Sequence, residues 1–214
     1  MRRFVITGAP GSGKTAIIRQ LELGGFSVVE EAATDVIAAA HADGKTQPWT
    51  DPAFIDAIAK LQKARQVRAS VRSDDVQFHD RCVVCTAALA IYLGYPRSSF
   101  LAGELERVRN ERVYQNRVFF VRNLGFVTPT DARRISFEET VRFENIHEQT
   151  YRDFGFELVM VDAGPGGPSP CNPGRYSLAA AHGLISALLT DGLSVPHFRP
   201  RTSRAHRRLA RTGG

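Results

Sequence analysis

The sequence predicts an α/β protein: a parallel sheet with helices over both faces. Three observations carry that expectation. Short apolar runs alternate with helix-spaced segments, a glycine-rich turn joins the first run to the first helix, and polar, chemistry-bearing residues recur just after the runs. Parallel neighbours need crossover connections, which the alternating helices supply. In such sheets ligands collect outside the carboxyl ends of the strands.

The elements follow in order. Residues 4–6 form the first strand, residues 8–15 the turn, and Ala16, Ile17, Ile18 and Leu21 the apolar face of the next helix. Residues 26–29 suit a second strand ending at Glu30 and Glu31, and the alanine-rich stretch 32–42 suits a helix closed by Asp43 and Gly44. Asp51 and Pro52 open a third helix running to about residue 72, because Asp accepts from first-turn amides and Pro fits the first helical position. Residues 76–79 read as the third strand, ending at Asp80 and Arg81, with residues 83–93 as its helix and Gly94 as the stop. Residues 100–111 are expected to be helical, 117–121 a fourth strand, and 123–135 an irregular segment with Gly125 and Pro129. Ser136 followed by Glu139 is a capping-box pattern, which starts a long helix reaching about residue 154. Residues 156–161 give the fifth strand, 164–174 a Gly- and Pro-rich loop, and 176–190 a closing helix. One domain is expected over residues 1–190, followed by a basic tail, residues 191–214, that reads as disordered.

Composition narrows the function classes. A chain of 214 residues that is 43% hydrophobic can bury one sizeable core. Its apolar runs fall short of the roughly 20 residues that cross a bilayer, so no membrane association is expected. The opening Met1-Arg2-Arg3-Phe4 reaches a glycine turn by Gly8, so no secretory leader is expected and the cytoplasm is the expected compartment. Lys and Arg number 28 against 22 Asp and Glu, yet residues 199–214 hold six of the arginines and no acid, leaving 22 against 22 elsewhere. The positive charge therefore belongs to the tail, and nucleic acid is only a weakly supported partner. Cys82 and Cys85 form a C-x-x-C with no second pair, so buried thiols are expected rather than a metal or redox site. The histidines, among them His41, His79 and His147, show no ligand spacing and read as structural.

Gly8-Ala9-Pro10-Gly11-Ser12-Gly13-Lys14-Thr15 matches the phosphate-binding pattern G-x-x-x-x-G-K-[ST]. Glycines let backbone amides turn toward a polyphosphate without side-chain obstruction, and the following helix places its positive dipole end there. Lys14 is expected to reach the β- and γ-phosphates of ATP, and Thr15 to ligate Mg²⁺. GTP is possible as well, because no guanine-reading N-K-x-D pattern selects between the two. A motor-type acidic pair is also missing, since Arg81 follows Asp80.

What remains fits phosphoryl transfer to a bound acceptor. That chemistry asks for a carboxylate at the metal, another at the acceptor hydroxyl, and cations near the transferring group. Asp80 is the magnesium candidate. Glu30 and Glu31 are the candidate bases, one of which also caps the next helix. Arg81 sits beside phosphate or acceptor, or makes a structural ion pair to the Glu30-Glu31 corner. Arg133 and Arg134, just before the Ser136 cap, are expected to bring a guanidinium over the nucleotide, because cations are unfavourable at a helix amino end unless an anion meets them. Gln62, Gln66, Arg65, Arg68 and Arg72 share helical spacings and read either as an acceptor-facing surface or as a solvated one. Trp49 reads as an acceptor-pocket wall or a core anchor.

The phosphate loop, Val28-Val29-Glu30-Glu31-Ala32-Ala33, Pro48-Trp49-Thr50-Asp51-Pro52, His79-Asp80-Arg81 and Arg133-Arg134-Ile135-Ser136-Phe137-Glu138-Glu139, in that order, resemble a family of small single-domain NTPases of the AAA type. Those proteins are similar to nicotinamide-riboside and deoxynucleoside kinases rather than to ring motors. The resemblance covers approximately residues 2–162. It implies a three-layer, kinase-like P-loop fold with strand order 2-3-1-4-5 and an arginine-bearing lid at about residues 123–135. It also implies that Glu30 or Glu31 acts as base and that Asp80 and Arg81 serve magnesium and phosphate. Gln77 and His79 make the third strand more polar than is usual there. The leading expectation is a kinase acting on a small, nucleoside-like hydroxyl. A nucleotide-controlled binding protein that recruits a partner, and a polynucleotide 5′-hydroxyl kinase using the basic tail, are the alternatives.

Overall fold

β1 (Arg2–Thr7) leaves the sheet at Thr7 and passes through the glycine-rich turn into α1 (Lys14–Leu23). β2 (Ser27–Val29), α2 (Ala33–Ala42), a 3-10 turn at Pro48–Thr50 and α3 (Ala53–Ala69) come next. They are followed by β3 (Val76–Asp80), α4 (Val83–Leu93), α5 (Ser99–Asn110), β4 (Arg117–Val121), α6 (Phe137–Asp153) and β5 (Glu157–Val161). The computed structural model describes residues 1–72, 74–123 and 136–161. Arg133 and Arg134, nearly all of the expected lid, the closing helix and the arginine tail lie outside the described residues.

The five strands form one parallel sheet in the order β2-β3-β1-β4-β5, the order the resemblance implies. Its register decides what meets at the carboxyl edge. Ile6 pairs with Asp80 and Val29 with His79, so β1, β3 and β2 end side by side, and Gly8, Asp80-Arg81 and Glu30-Glu31 emerge together. On the other side Thr7 pairs with Phe120, which sets the end of β4 beside the start of the loop.

Alternation divides the core between the two faces of the sheet. Phe4, Ile6, Phe78, Phe119 and Val121 pack with Ile17, Ile18 and Leu21 of α1. Val5 and Val118 face the other way, against Phe54, Ile55 and Ile58 of α3, Val84 and Ala87 of α4, and Tyr151 of α6. Each fully buried side chain of this size contributes roughly 1.5–3 kcal/mol. Gln77 and His79 of β3 lie in this second layer with reasons of their own. Gln77 donates to the Ala69 carbonyl at 2.8 Å, satisfying the end of α3, and His79 meets the ring of Tyr114 edge-on at 5.0 Å.

α3 stops at Ala69, short of the residue-72 end expected from sequence, because the Ser70 amide bonds the carbonyls of Gln66 and Val67 and its hydroxyl returns to Gln66 at 2.8 Å. The capping box of α6 forms as expected: the Ser136 amide donates to Glu139 Oε2 at 2.7 Å, and the Glu139 amide donates to Ser136 Oγ at 3.1 Å. Trp49 is 36% exposed, which removes its reading as a core anchor. Among the described residues no helix is long and apolar enough to cross a membrane.

Candidate functional site

The loop leaving β1 has a conformation that its glycines make possible. Gly8 has φ 139°, and a Cβ there would stand 2.1 Å from the carbonyl oxygen of Val121, so any side chain at this position collides with the end of β4. Gly13, with φ 84°, turns the chain into α1 in a left-handed conformation. No acidic residue lies in the first turn of α1, so nothing there cancels the positive end of the helix.

Lys14 is curled back over this loop. Its Nζ donates to the carbonyls of Gly8 at 3.0 Å and Ala9 at 2.8 Å, and to Ser12 Oγ at 3.1 Å. Burial pulls its ammonium down to about 7, with Arg81 acting in the same direction and Asp80 and Glu31 opposing. Thr15, one residue on, is exposed.

The tip of β3 supplies the next groups. Asp80 Oδ1 is buried and has no hydrogen-bond partner among the described residues. Burial raises its carboxyl above the ordinary range, against the pull of Lys14 and Arg81. Arg81 adopts φ 69°, a left-handed conformation that costs a non-glycine residue on the order of 1–3 kcal/mol. The conformation is held by its amide, which donates to the Ile6 carbonyl at 2.9 Å. Its guanidinium lies between two partners: Nε is 2.7 Å from Glu31 Oε1, and Nη1 donates to Cys85 Sγ at 3.1 Å. Burial works against that charge, but Cys85, Glu31 and Asp80 together hold the guanidinium protonated beyond its ordinary range.

The two glutamates at the tip of β2 are not equivalent. Glu31 pairs with Arg81 and accepts from Thr34 Oγ1 at 3.0 Å. Burial opposes its charge, yet Arg81, Lys14 and Thr34 hold the carboxyl below its usual value. Glu30 is exposed, and its side chain makes no hydrogen bond or ion pair among the described residues. Both main-chain carbonyls are instead gripped by Arg65 of α3, which also pairs with Asp35.

The sequence-derived residues therefore separate. Lys14, Glu31, Asp80 and Arg81 converge beside the loop; Glu30 stands outside that cluster, and Arg133 and Arg134 lie outside the described residues. Arg65 fastens the β2 corner and, with Arg68 and Arg72, lines a cavity that Glu30 also borders. Gln66 is buried and bonds Ser70 and Arg107, while Gln62 accepts from Thr86 at 2.7 Å. Cys85, expected only as a buried thiol, accepts from Arg81 in this cluster, and Tyr151, which was not singled out from sequence, meets the adjoining Cys82. The available signal for Tyr151 was the aromatic ladder Phe143-His147-Tyr151, spaced by four along one face of α6.

The sequence model of a family described as an AAA domain matches residues 3–166. Among solved structures, a NadR protein in complex with NR is 17% identical, with a TM-score of 0.63, over 92% of this chain and 53% of that one. A NadR protein in complex with NAD and AMP-PNP is 16% identical, with a TM-score of 0.56, over 92% and 51%. A deoxyadenosine kinase from M. mycoides, with products dCMP and a flexible dCDP bound, is 11% identical, with a TM-score of 0.54, over 88% and 99%. At these identities the likeness is one of fold, and the chain spans about half the length of the NadR chains. No curated protein matches it.

Proposed function

The chain belongs to the AAA domain family, and on that premise we propose that it binds ATP and transfers the γ-phosphoryl group to a hydroxyl of a small, nucleoside-like acceptor. The observation that carries this reading is the convergence of Lys14, Asp80, Arg81 and Glu31 at the glycine loop. The solved structures of similar fold support it, because one is a deoxyadenosine kinase and another holds AMP-PNP.

In this reading the amides of the loop and of the first turn of α1 hold the phosphates, and Lys14 exchanges two carbonyls for phosphate oxygens. Asp80 Oδ1, a buried carboxylate oxygen without a partner among the described residues, and the exposed Thr15 hydroxyl are hard oxygen donors that fit magnesium bound largely through water and phosphate. When bound, magnesium supplies neutralisation of phosphate charge. Arg81 leaves Glu31 for the phosphates, so the carboxylate is released as the nucleotide arrives. Glu31 then accepts the acceptor's hydroxyl proton, the acceptor oxygen bonds to the γ-phosphorus, and the bond to the ADP oxygen breaks.

A screen of nucleoside-like alcohols with labelled ATP tests the reading. Wild type is expected to form a phosphorylated product, and Glu31→Gln to lose that product by about a hundredfold or more with nucleotide affinity kept. Transfer at the wild-type rate by Glu31→Gln, or undiminished ATP binding by Lys14→Ala, would sink the proposal.

A further inference from the structure

We propose that Tyr151 is a positioning residue for phosphoryl transfer: its phenol, carried by α6, fixes the Asp80-Arg81-Cys82 corner against the end of β1 from which the phosphate loop departs. The inference rests on the reading above and adds to it a group that touches neither nucleotide nor acceptor.

Tyr151 is fully buried. Its ring stacks on His147, with centroids 6.1 Å apart and planes at 11°, and meets Phe156 at 5.7 Å. This aromatic seating leaves the phenol little freedom. Its oxygen lies 3.3 Å from Cys82 Sγ, a contact between residues 69 apart in sequence. Through Cys82 the phenol meets the residue that follows Arg81, whose amide is bonded to Ile6 next to the end of β1.

Cys82 is the N-cap of α4: the amides of Val84 and Cys85 act on its sulfur from the first turn of that helix, and on the side of α6 the sulfur meets Tyr151. The corner it belongs to carries the left-handed Arg81 and is held by four contacts. These are the Arg81 amide on Ile6, the guanidinium on Glu31, the guanidinium on Cys85, and the Cys82 sulfur at Tyr151. When Arg81 swings to phosphate, the ion pair to Glu31 is lost and the contact to Cys85 is exposed to the same movement. The amide bond and the phenol contact do not depend on the guanidinium. They keep Asp80 and the backbone of Arg81 in register with the loop while the side chain moves, and a displacement of a fraction of an ångström there is enough to slow transfer.

A phenylalanine would fill the same space and make the same ring contacts, so deleting the hydroxyl isolates the positioning effect from packing. The experiment uses Tyr151→Phe, Cys82→Ala and the double variant in the full chain. Each single variant is expected to lower kcat about tenfold with the nucleotide KM within threefold of wild type. The double variant is expected to be no worse than the weaker single, because both remove one contact. In the empty protein, hydrogen exchange at the Arg81 amide is expected to quicken about tenfold in both single variants, with amides of α5 unchanged. A kcat within twofold of wild type in Tyr151→Phe would overturn the proposal, as would a KM increase at constant kcat, multiplicative losses in the double variant, or unaltered exchange at Arg81. If Tyr151→Phe does not fold, Cys82→Ala carries the same test. Absence of phosphorylated product from wild type would count against the kinase reading alone, while the exchange measurement would still decide whether the phenol holds the corner.

Discussion

Arg81 and Glu31 meet at 2.7 Å across the tips of β3 and β2, and the Glu31 carboxylate is the one glutamate oxygen pair at the β2 corner that faces Lys14 and Arg81 electrostatically. Glu30, its neighbour, is exposed. Substitution should therefore discriminate sharply between adjacent positions. Glu31→Gln is expected to lower acceptor-dependent transfer by about 10²-fold or more, and Glu30→Gln to leave it within threefold, measured as product formed from labelled ATP.

Lys14 predicts a proton coupled to nucleotide. In the empty protein its ammonium is depressed to about 7, so it is mostly neutral at pH 8, and phosphate oxygens favour the charged form. Binding should take up close to one proton per site at pH 8 and much less at pH 6, and affinity should weaken as pH rises above 7. Calorimetry in buffers of differing ionisation enthalpy measures the uptake directly, and none at pH 8 would contradict the assignment.

Gly8 leaves no room for a side chain. Gly8→Ala would set a methyl 2.1 Å from the Val121 carbonyl oxygen at φ 139°, so either the loop or the end of β4 must move. A stability loss of about 2–4 kcal/mol and failure to bind ATP are expected, read from urea unfolding and nucleotide titration.

The buried histidines weaken the fold in acid. Burial lowers His79 to about 3 and His147 well below its ordinary value, so at these two positions the folded protein binds fewer protons than the unfolded chain below about pH 6.5. Their contribution is present above that pH and is lost as pH falls toward 3, each at up to about 1.4 kcal/mol per pH unit. His147→Phe should flatten the fall between pH 6.5 and 4.5, measured by urea unfolding across that range.

Arg65 reaches the β2 corner from α3. Arg65→Ala frees the carbonyls of Glu30 and Glu31 and the Asp35 carboxylate. Transfer is expected to fall about tenfold with nucleotide affinity kept, whereas Arg68→Ala, on the exposed side of the same helix, should leave both unchanged.

What the sequence made legible depended on the reach of each contact. The phosphate loop is a contiguous stretch, and the strand ends at Asp80 and Glu30-Glu31 follow from short runs that stop at charged residues, so fold and loop could be read directly. The choice between Glu30 and Glu31 could not. It is set by the register of β2 on β3 and by Thr34, which enter only once the strands pair. Arg65 looks like one member of a solvated arginine stripe, and nothing local announces carbonyl partners more than thirty residues away. Cys82, the N-cap of α4, and Tyr151 of α6 are 69 residues apart and meet only when the two helices pack on the same face, so the spacing of aromatics along α6 marks Tyr151 as buried but not its partner.

β2 is three residues long and, among the described residues, lies at the margin of the sheet, paired only with β3. Peripheral strands with few ladder bonds come loose before the centre does, and this one carries Glu31 at its end. Warming should therefore silence the protein reversibly several degrees before its ellipticity collapses. The temperature ceiling of the proposed transfer would then be that of this three-residue strand rather than of the core.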